Sequence, residues 1–440
     1  MPAFCLRILA CVAVGFSTFT EVRGHEPAVL VAGDGQSWYK GNMHTHSHWS
    51  DGDDYLEAIA MWYRDQGYQF LVFTDHNVLA ETEKWVKVAK TKGGRKAYDK
   101  LKEKFPNWVE ERGEGDDLEV RLRQFVEVAD RFNNPGEYLL VQGEEISDNH
   151  HGAPIHMNVH NILERIPPQG GRSVHETIEN NVRAVQAQRE ATGQPMIVHL
   201  NHPNFGFAIT AEDLLRVRGE KFFEVYNGHP SVHNHGDDEH PGTERIWDIV
   251  LAQRIGALGM PMMYGLAVDD GHSYHNIPSR ASEPGRGWVV VLANELTPEA
   301  LIESLEHGRF YASSGVKLKR IATDHDGLQV EVDAVPGETY TIEFVGTRSS
   351  TDLVGQPITG DDGEVRHVTH RYSDGIGEVL KKVEGTSARY DFEGDEYYVR
   401  ARITSSALHP NPSDVGDHQQ AWVQPSLGPA APEEAEHVHD

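Results

Sequence analysis

The sequence predicts an α/β protein: a parallel barrel of alternating strands and helices over residues 36–315, followed by a small all-β, sandwich-like domain over 316–425. Two patterns predict this. From about residue 38 to 295, short apolar β-rich runs alternate with amphipathic stretches at helical spacing, and a βαβα order is the pattern of a parallel sheet, most economically closed as a barrel. Beyond residue 314 the helical spacing stops, and short alternating strands separated by Gly, Pro and Asp turns take over.

The chain has 440 residues, more than one ordinary domain needs. Residues 1–24 read as an export signal, with Arg7 at a positive start, an apolar or small run from Ile8 to Phe16, and the small Gly24 at its end. That apolar run is too short to span a bilayer, so no transmembrane anchor is expected. Strands are expected over 40–46, 69–75, 138–146, 196–202, 222–227, 261–268 and 288–292. Helices are expected over 55–66, 175–192 and 243–254. The long charged stretch 81–131 reads as helical insertions on the outside of the barrel. Residues 297–307 form a capped helix, with Pro298 inside its start and Gly308 past its end. The second domain takes strands over 328–332, 339–344, 364–370, 397–403 and 421–424, and the Pro- and Glu-rich stretch 426–440 reads as a disordered tail.

Composition narrows the chemistry. A formal charge of −28, from 68 acidic against 40 basic residues, repels nucleic acid and anionic membrane surfaces. Both cysteines, Cys5 and Cys11, lie in the export segment, so a mature chain has neither disulfides nor thiolate ligands. Any metal is then held by nitrogen and oxygen donors, and the chain carries 26 His.

Such donors recur where apolar runs meet loops. Gly41-Asn42-Met43-His44-Thr45-His46 sets two imidazoles on one face of an extended segment, since side chains alternate with period two. Asp51 follows in Ser50-Asp51-Gly52. His76 ends the next run in Thr74-Asp75-His76-Asn77, and Glu145 the next in Gly143-Glu144-Glu145. His156, His202, Asp270 and His272 follow in His156-Met157-Asn158, His202-Pro203 and Asp269-Asp270-Gly271-His272. The C-terminal ends of parallel barrel strands share one rim, so these donors are expected to meet in one pocket. Only the run 222–227 lacks a donor at its end. His48, His150, His151, His160 and His275 read as groups behind the ligands or solvent-exposed, and Asp75 as a group that orients an imidazole.

This ordered set resembles the polymerase-and-histidinol-phosphatase (PHP) superfamily of metal-dependent hydrolases. It is closest to the secreted CehA/McbA-like branch, through His156-Met157-Asn158, Glu224-Val225-Tyr226-Asn227-Gly228, Gly308-Arg309-Phe310-Tyr311-Ala312-Ser313 and Ala421-Trp422-Val423-Gln424-Pro425. The resemblance implies a distorted (β/α)7 barrel and a cluster of two or three divalent ions, Zn, Mn or Fe. It implies His44, His46, Asp51, His76, Glu145, His156, His202, Asp270 and His272 as ligands. His44, His46, Glu145 and Asp270 would hold one ion, His156 and His272 a second bridged by Glu145, and Asp51, His76 and His202 a third. In the ambiguous pairs, family spacing selects Glu145 over Glu144, Asp270 over Asp269 and His202 over His199.

The expected function is hydrolysis of a small-molecule phosphoester by metal-activated hydroxide. Glu145, Asp270 and His272 are the catalytic candidates, and Arg280 and Arg286 the candidate phosphate clamp. No Gly-x-Ser-x-Gly elbow supports a covalent serine route. Two alternatives stand beside this one. Hydrolysis of a carboxylic or carbamate ester would use the same metal site. A secreted binding protein with a structural metal site would engage a glycan or cell-surface polymer through its β-domain, where Tyr390, Tyr397 and Tyr398 are candidate exposed aromatics but form no clear stacking platform, so packing against the barrel is the favoured role of that domain. The His-rich loop 229–237 is expected to overhang the pocket.

Overall fold

The computed structural model describes residues 28–432. The export segment 1–24, with Cys5 and Cys11, and the end of the tail, 433–440, lie outside the described residues. Among the described residues no helix is long and apolar enough to cross a membrane.

In chain order the first part comprises β1 (Ala28–Val31), β2 (Ser37–Asn42), α1 (Leu56–Asp65), β3 (Phe70–Phe73), β4 (Lys84–Lys87), α2 (Gly94–Lys104), β5 (Glu111–Arg112), β6 (Glu119–Leu122), α3 (Phe125–Phe132), β7 (Leu139–His150) and β8 (Ala153–His160). Then come α4 (Val174–Thr192), β9 (Ile197–Leu200), α5 (Ala211–Leu214), β10 (Phe222–Asn227), α6 (Thr243–Ala252), β11 (Tyr264–Val268), β12 (Trp288–Ala293), α7 (Pro298–Glu306) and β13 (Phe310–Ser313). The rest is strand: β14 (Leu318–Asp324), β15 (Gly327–Val332), β16 (Tyr340–Arg348), β17 (Glu378–Glu384), β18 (Ser387–Asp391), β19 (Glu396–Leu408) and β20 (His418–Leu427).

A thirteen-stranded mixed sheet organises the molecule, in the order β11-β10-β9-β8-β7-β3-β2-β12-β13-β20-β19-β16-β17. This corrects the closed, wholly parallel barrel. The pairs β2–β3, β3–β7, β9–β10 and β10–β11 are parallel, but β8 runs antiparallel to both β7 and β9. The reversal is a two-residue hairpin at His151-Gly152, where φ is +50° and +89°, the left-handed pair that a type I′ turn requires. No ladder joins β11 to β2; one isolated parallel bridge, Thr45 to Gly271, spans the gap, with His46 N donating to Gly271 O at 3.0 Å.

The central strands are apolar on both faces: β3 (Phe-Leu-Val-Phe) and β10 (Phe-Phe-Glu-Val-Tyr-Asn) are buried along their whole length. They pack under helices whose ends are chemically defined. Ser173 caps α4 by accepting from Glu176 N, and Gly193 closes it at φ +70°. Thr297 caps α7 with Pro298 in its first turn, as its sequence requires.

The stretch 81–131 is only partly helical. It holds α2 and α3 but also a three-stranded antiparallel sheet, β4-β6-β5, and it buries Tyr98, Leu101, Phe105, Val120, Leu122 and Val128 against Tyr55, Ile59 and Tyr63 of the α1 region. The strands escape a periodicity search because they are short and charged on their outer face, as in Glu119-Val120-Arg121-Leu122.

In the C-terminal part, 364–370 is loop rather than strand, and β14, β17 and β18 are the strands that were not anticipated. β17 is the outer edge of the large sheet and carries Lys381 and Lys382, charges of the kind that protect an edge from further pairing and that also hide it from a hydrophobic search. A four-stranded sheet, β1-β14-β15-β18, covers the end of the large sheet across a shared core that includes Leu328, Val330, Ile342, Phe344, Val399 and Ile403. Tyr390 and Tyr398 are buried in this part, so they cannot form the exposed aromatic platform of the binding-protein alternative.

One buried acid gives the fold a pH dependence. Glu57, in the first turn of α1, is 3% exposed, and its Oε2 lacks a hydrogen-bond partner. Burial raises its pKa from 4.5 to about 7. A raised folded-state pKa contributes stability that is complete below the ordinary value and is lost as pH rises through 7. Between pH 5 and pH 8 wild type should therefore lose roughly 2–3 kcal/mol relative to Glu57→Gln. Urea unfolding of both proteins at the two pH values measures this, and parallel pH profiles would contradict it.

Candidate metal centre

Each donor is positioned by a local device. Immediately after β2, His44 and His46 point to the same side, while Asn42 Nδ2 donates to His44 O at 2.8 Å and to Thr45 Oγ1 at 2.6 Å and so holds the backbone between them. The chain then turns back over the site. Asp75 accepts from Ser47 N at 2.8 Å, Ser47 Oγ at 2.7 Å, and the N and Oγ of Ser50 at 3.0 and 2.5 Å. Asp75 thus shapes the loop that carries Asp51 instead of bonding an imidazole. Gly52 is required in this turn, since a Cβ there would lie 2.4 Å from His46 O.

Past β3, His76 donates or accepts at 2.6 Å with Ser147 Oγ, and Asn77 turns the chain at φ +52°. Glu145 and His156 lie inside β7 and β8, not at strand ends as expected, with His156 opposite Ser147 in the hairpin register. His202 follows β9 at φ +22°, and Asp270 follows β11 at φ +50°. Such backbone costs of order 1–3 kcal/mol per residue, and it is characteristic of sites where a side chain must be aimed.

All nine sequence-selected donors converge in overlapping groups whose ligand atoms lie within 4.8 Å of one another. Glu145 is the hub. Its Oε2 lies 3.4 Å from His44 Nε2, 3.2 Å from His46 Nε2 and 2.9 Å from His76 Nδ1. Its Oε1 lies 2.9 Å from His156 Nδ1 and 3.7 Å from His202 Nε2. Asp270 Oδ1 faces His44 Nε2 at 3.3 Å, His46 Nε2 at 3.2 Å and His272 Nδ1 at 3.5 Å. Asp51 Oδ1 faces His272 Nε2 at 3.2 Å and His76 Nε2 at 3.6 Å.

The grouping differs from the partition implied by resemblance. His202 groups with His44 and Glu145, and His272 with Asp51, His46 and His76.

The electrostatics follow from burial and crowding. Burial opposes charge on Glu145, yet His76, His44 and His156 outweigh it and hold the carboxyl well below the carboxylate range. Asp270 is likewise held low against burial, chiefly by His44 and His46. Burial, with His272 and His76 alongside, pushes His46 down to about 3, which leaves its imidazole neutral and ready to act as a ligand. His76 keeps its proton to about 9, because Glu145 and Asp51 overcome its burial.

The donor set fits divalent cations. His44 Nε2, His46 Nε2, His156 Nδ1 and Glu145 Oε2 are buried and make no hydrogen bond within the protein, while each faces another donor atom. Donor atoms turned on one another in this way are unfavourable without a proton or a cation between them, and imidazole with carboxylate suits Zn, Mn or Fe.

Glu224, which stood in a quoted family segment with no role assigned to it, supplies a layer of support. Its Oε1 accepts from His44 Nδ1 at 2.7 Å and from His199 Nε2 at 3.0 Å, and its Oε2 accepts from His202 N and Asn227 Nδ2, both at 2.7 Å. An ionised carboxylate only accepts, so His44 carries its proton on Nδ1 and presents Nε2 to the centre. His199 in turn meets His160 Nε2 at 2.9 Å. The signal for Glu224 was an acid in the middle of an apolar strand, the run that had seemed to lack a donor. Glu144 points to the other side of β7, accepts from Ile166 N at 2.9 Å, and is raised by burial to about 7.

The candidate clamp is not assembled. Arg286 is fully buried, and its guanidinium bonds Gly228 O at 2.8 Å, Asn411 O at 3.2 Å and Glu283 Oε2 at 3.2 Å. It ties the post-β11 loop to the C-terminal segment. Arg280 is exposed. Two other residues border the centre: Lys92, which escaped the sequence reading, and His229, from the loop expected to overhang the pocket. Lys92 Nζ bonds Asp51 O at 2.7 Å and lies 3.8 Å from Asp51 Oδ2. The His229 ring lies 5.5 Å from that of His272, and burial lowers its pKa. The remainder of the 229–237 loop is pinned, with Asn234 bonded to Asn227 and His235 to Asp417.

No protein-family model matches the chain, and no curated protein matches it. Among solved structures it is similar to a two-domain protein from Bacteroides vulgatus ATCC 8482 containing a predicted PHP-like metal-dependent phosphoesterase, at 14% identity and a TM-score of 0.39 over 91% of this chain and 99% of that one. It is also similar to PsfC from Pseudomonas syringae PB-5123, at 14% identity and a TM-score of 0.29 over 58% and 82% of the two chains. At these scores the chemistry rests on the side chains themselves.

Glu224→Gln should weaken binding of Zn or Mn by about 10- to 100-fold, the range for loss of a carboxylate that orients a ligating His, and Glu144→Gln should leave it unchanged. Competition against a chromophoric chelator measures both, and equal affinities for Glu224→Gln and wild type would remove Glu224 from the centre.

Proposed function

We propose that this protein is a metal-dependent hydrolase acting on small phosphoesters. The observation that carries the reading is Glu145, a fully buried carboxylate with imidazoles crowded against both of its oxygens. The ordered motif set, which resembles the PHP superfamily and its secreted CehA/McbA-like branch, supports it further.

His44, His46, Glu145, Asp270 and His202 would hold ions on one side of the centre, and Asp51, His76, His156 and His272 complete it on the other. Ions bound there would lower the pKa of coordinated water and neutralise charge on the oxygens of a transferred phosphoryl group. The chain's own contribution is positional and electrostatic. Glu224 and Asn201, the latter donating to Glu145 Oε1 at 2.8 Å, hold donor atoms in place so that no reorganisation is needed during reaction.

Lys92 and His229 serve the substrate. Lys92 is half-exposed beside Asp51 and offers a cation to an anionic ester at the mouth. His229 Nδ1 accepts from Ser231 N at 3.1 Å, which places its proton on Nε2 as a hydrogen-bond donor. Ser47 and Ser50 both donate to Asp75, an arrangement that occupies them and offers no activated serine nucleophile.

Protein reloaded with Mn or Zn should hydrolyse aryl phosphate mono- or diesters in preference to aryl carboxylic and carbamate esters. Asp270→Asn should lower kcat/KM by at least about 100-fold. Lys92→Ala should raise KM by up to about tenfold for phosphoesters with little change in kcat. Turnover confined to the carbon esters would overturn the phosphoester assignment while leaving the metal centre standing.

A further inference from the structure

The mouth of the centre is chemically unequal at its two ends. His44, His46 and Glu145 have no exposed side-chain surface, whereas Asp51, His76, His156, His202 and His272 keep some, so these five donors border the opening. At the Asp51 end stands the cation of Lys92. At the His156 and His202 end stands Phe205, which supplies no donor atom.

Phe205 follows His202 by three positions and is half-buried. None of the hydrophobic cores of the described residues includes it, so packing of the fold does not account for its ring. Its neighbours are the imidazoles: ring centres lie 5.1 Å from His202, 6.5 Å from His156 and 6.1 Å from His229. His229 in turn reaches His272 at 5.5 Å. Phe205 therefore touches two donors directly and a third through His229, which sets the pair along one border of the opening. The planes of Phe205 and His229 stand at 81°, so the two rings make a corner.

The segment around Phe205 holds that corner in place. Phe205 N donates to His202 O at 2.9 Å, its backbone bridges to Val232, and Asn204 Nδ2 donates to His233 O and Pro241 O, both at 2.9 Å. The chain then turns through Gly206 and Phe207 at φ +61° and +49°. Left-handed backbone is unfavourable at Phe207, and stacking of its ring on His233 at 4.8 Å and on His240 at 3.8 Å offsets the cost. Phe205 is thus fixed before any ligand arrives, and little ordering remains to oppose binding.

A corner of two rings at a right angle suits a flat third ring, which can meet one partner offset face to face and the other edge to face; an alkyl group gains only buried area there. We propose that Phe205, with His229, is a specificity-determining residue that selects esters carrying an aromatic group beside the scissile bond, with the anionic part of the substrate towards the donors and Lys92. The proposal rests on the metal-dependent hydrolase reading and names the group that this site accepts.

The test measures binding, not turnover. Full-length protein loaded with Zn is titrated calorimetrically with phenylphosphonate and methylphosphonate, and with benzohydroxamate and acetohydroxamate, whose head groups bind metal ions. Wild type should hold the phenyl member of a pair at least about tenfold more tightly than the methyl member. Phe205→Ala should bring that ratio below about threefold, and Phe205→Tyr should keep it. A merely structural role would weaken both members alike and leave the ratio where it was. Circular dichroism, thermal unfolding and the amount of Zn bound establish that each variant is folded and loaded. A ratio near one in wild type for both pairs, a ratio unmoved by Phe205→Ala, or no binding of any of the four compounds would each overturn the proposal. Phenyl preference among the hydroxamates with neither phosphonate bound would uphold it and count against phosphoesters alone.

Discussion

The structure depends on one buried carboxylate. Glu145 is placed where water cannot reach it, and an isolated ionised carboxylate in that position would cost several kcal/mol. It is tolerated because imidazoles from the β2 end, β3 end, β8 and β9 end surround it. The dependence is mutual, since an unpaired buried imidazole nitrogen is also unfavourable. Cations held by this cluster would be coupled to the protein: ions that bound only the assembled cluster would stabilise the fold that assembles it.

The centre also shapes the backbone that leads into it. His202, Asp270 and Asn77 adopt positive φ directly at strand exits. Each turns a side chain, or the segment after it, towards the centre instead of along the strand direction. A regular closed barrel would aim its last residues outward around a ring. A mixed sheet with the β7–β8 hairpin instead brings interior strand positions, Glu145 and His156, into the middle of the donors. The antiparallel strand is thus the means by which a carboxylate reaches the middle of the imidazoles.

The sequence made the donors legible because motifs such as His44-Thr45-His46 and Asp270-Gly271-His272 are short, and local alternation sets their direction. It concealed whatever depends on partners distant along the chain. Glu224 was hidden by its own strand: a lone acid among Phe, Val and Tyr looks like a flaw in an apolar run until His44, 180 positions earlier in the chain, is seen against it. The hairpin at His151-Gly152 was hidden by polar neighbours that resemble a site loop. β17 was hidden by the lysines that protect an edge. Arg286 was misread because position near a rim says nothing about where a guanidinium finds acceptors, and Gly228 and Asn411 provide them within the protein.

The C-terminal strands are more than an appendage to the centre. Gln424 bonds both N and O of Gly265 on β11, at 2.9 and 2.8 Å, and Arg286 joins Asn411 to the loop that follows Asp270. Arg400 grips α6 through Asp248, and Tyr398 reinforces that grip at 2.9 Å. These contacts fall on β11, on the loop after it and on α6, the helix that follows β10, and so back the two strands that end the ladder, carry Glu224 and lead to Asp270. An open sheet edge bearing two of the most heavily shared carboxylates needs a fixed backing, because a shift of an ångström there would separate donors now 2.7 to 3.3 Å apart. The strands of the C-terminal part supply that backing, which accounts for a large sheet continuing without a break from the donor cluster to the far edge.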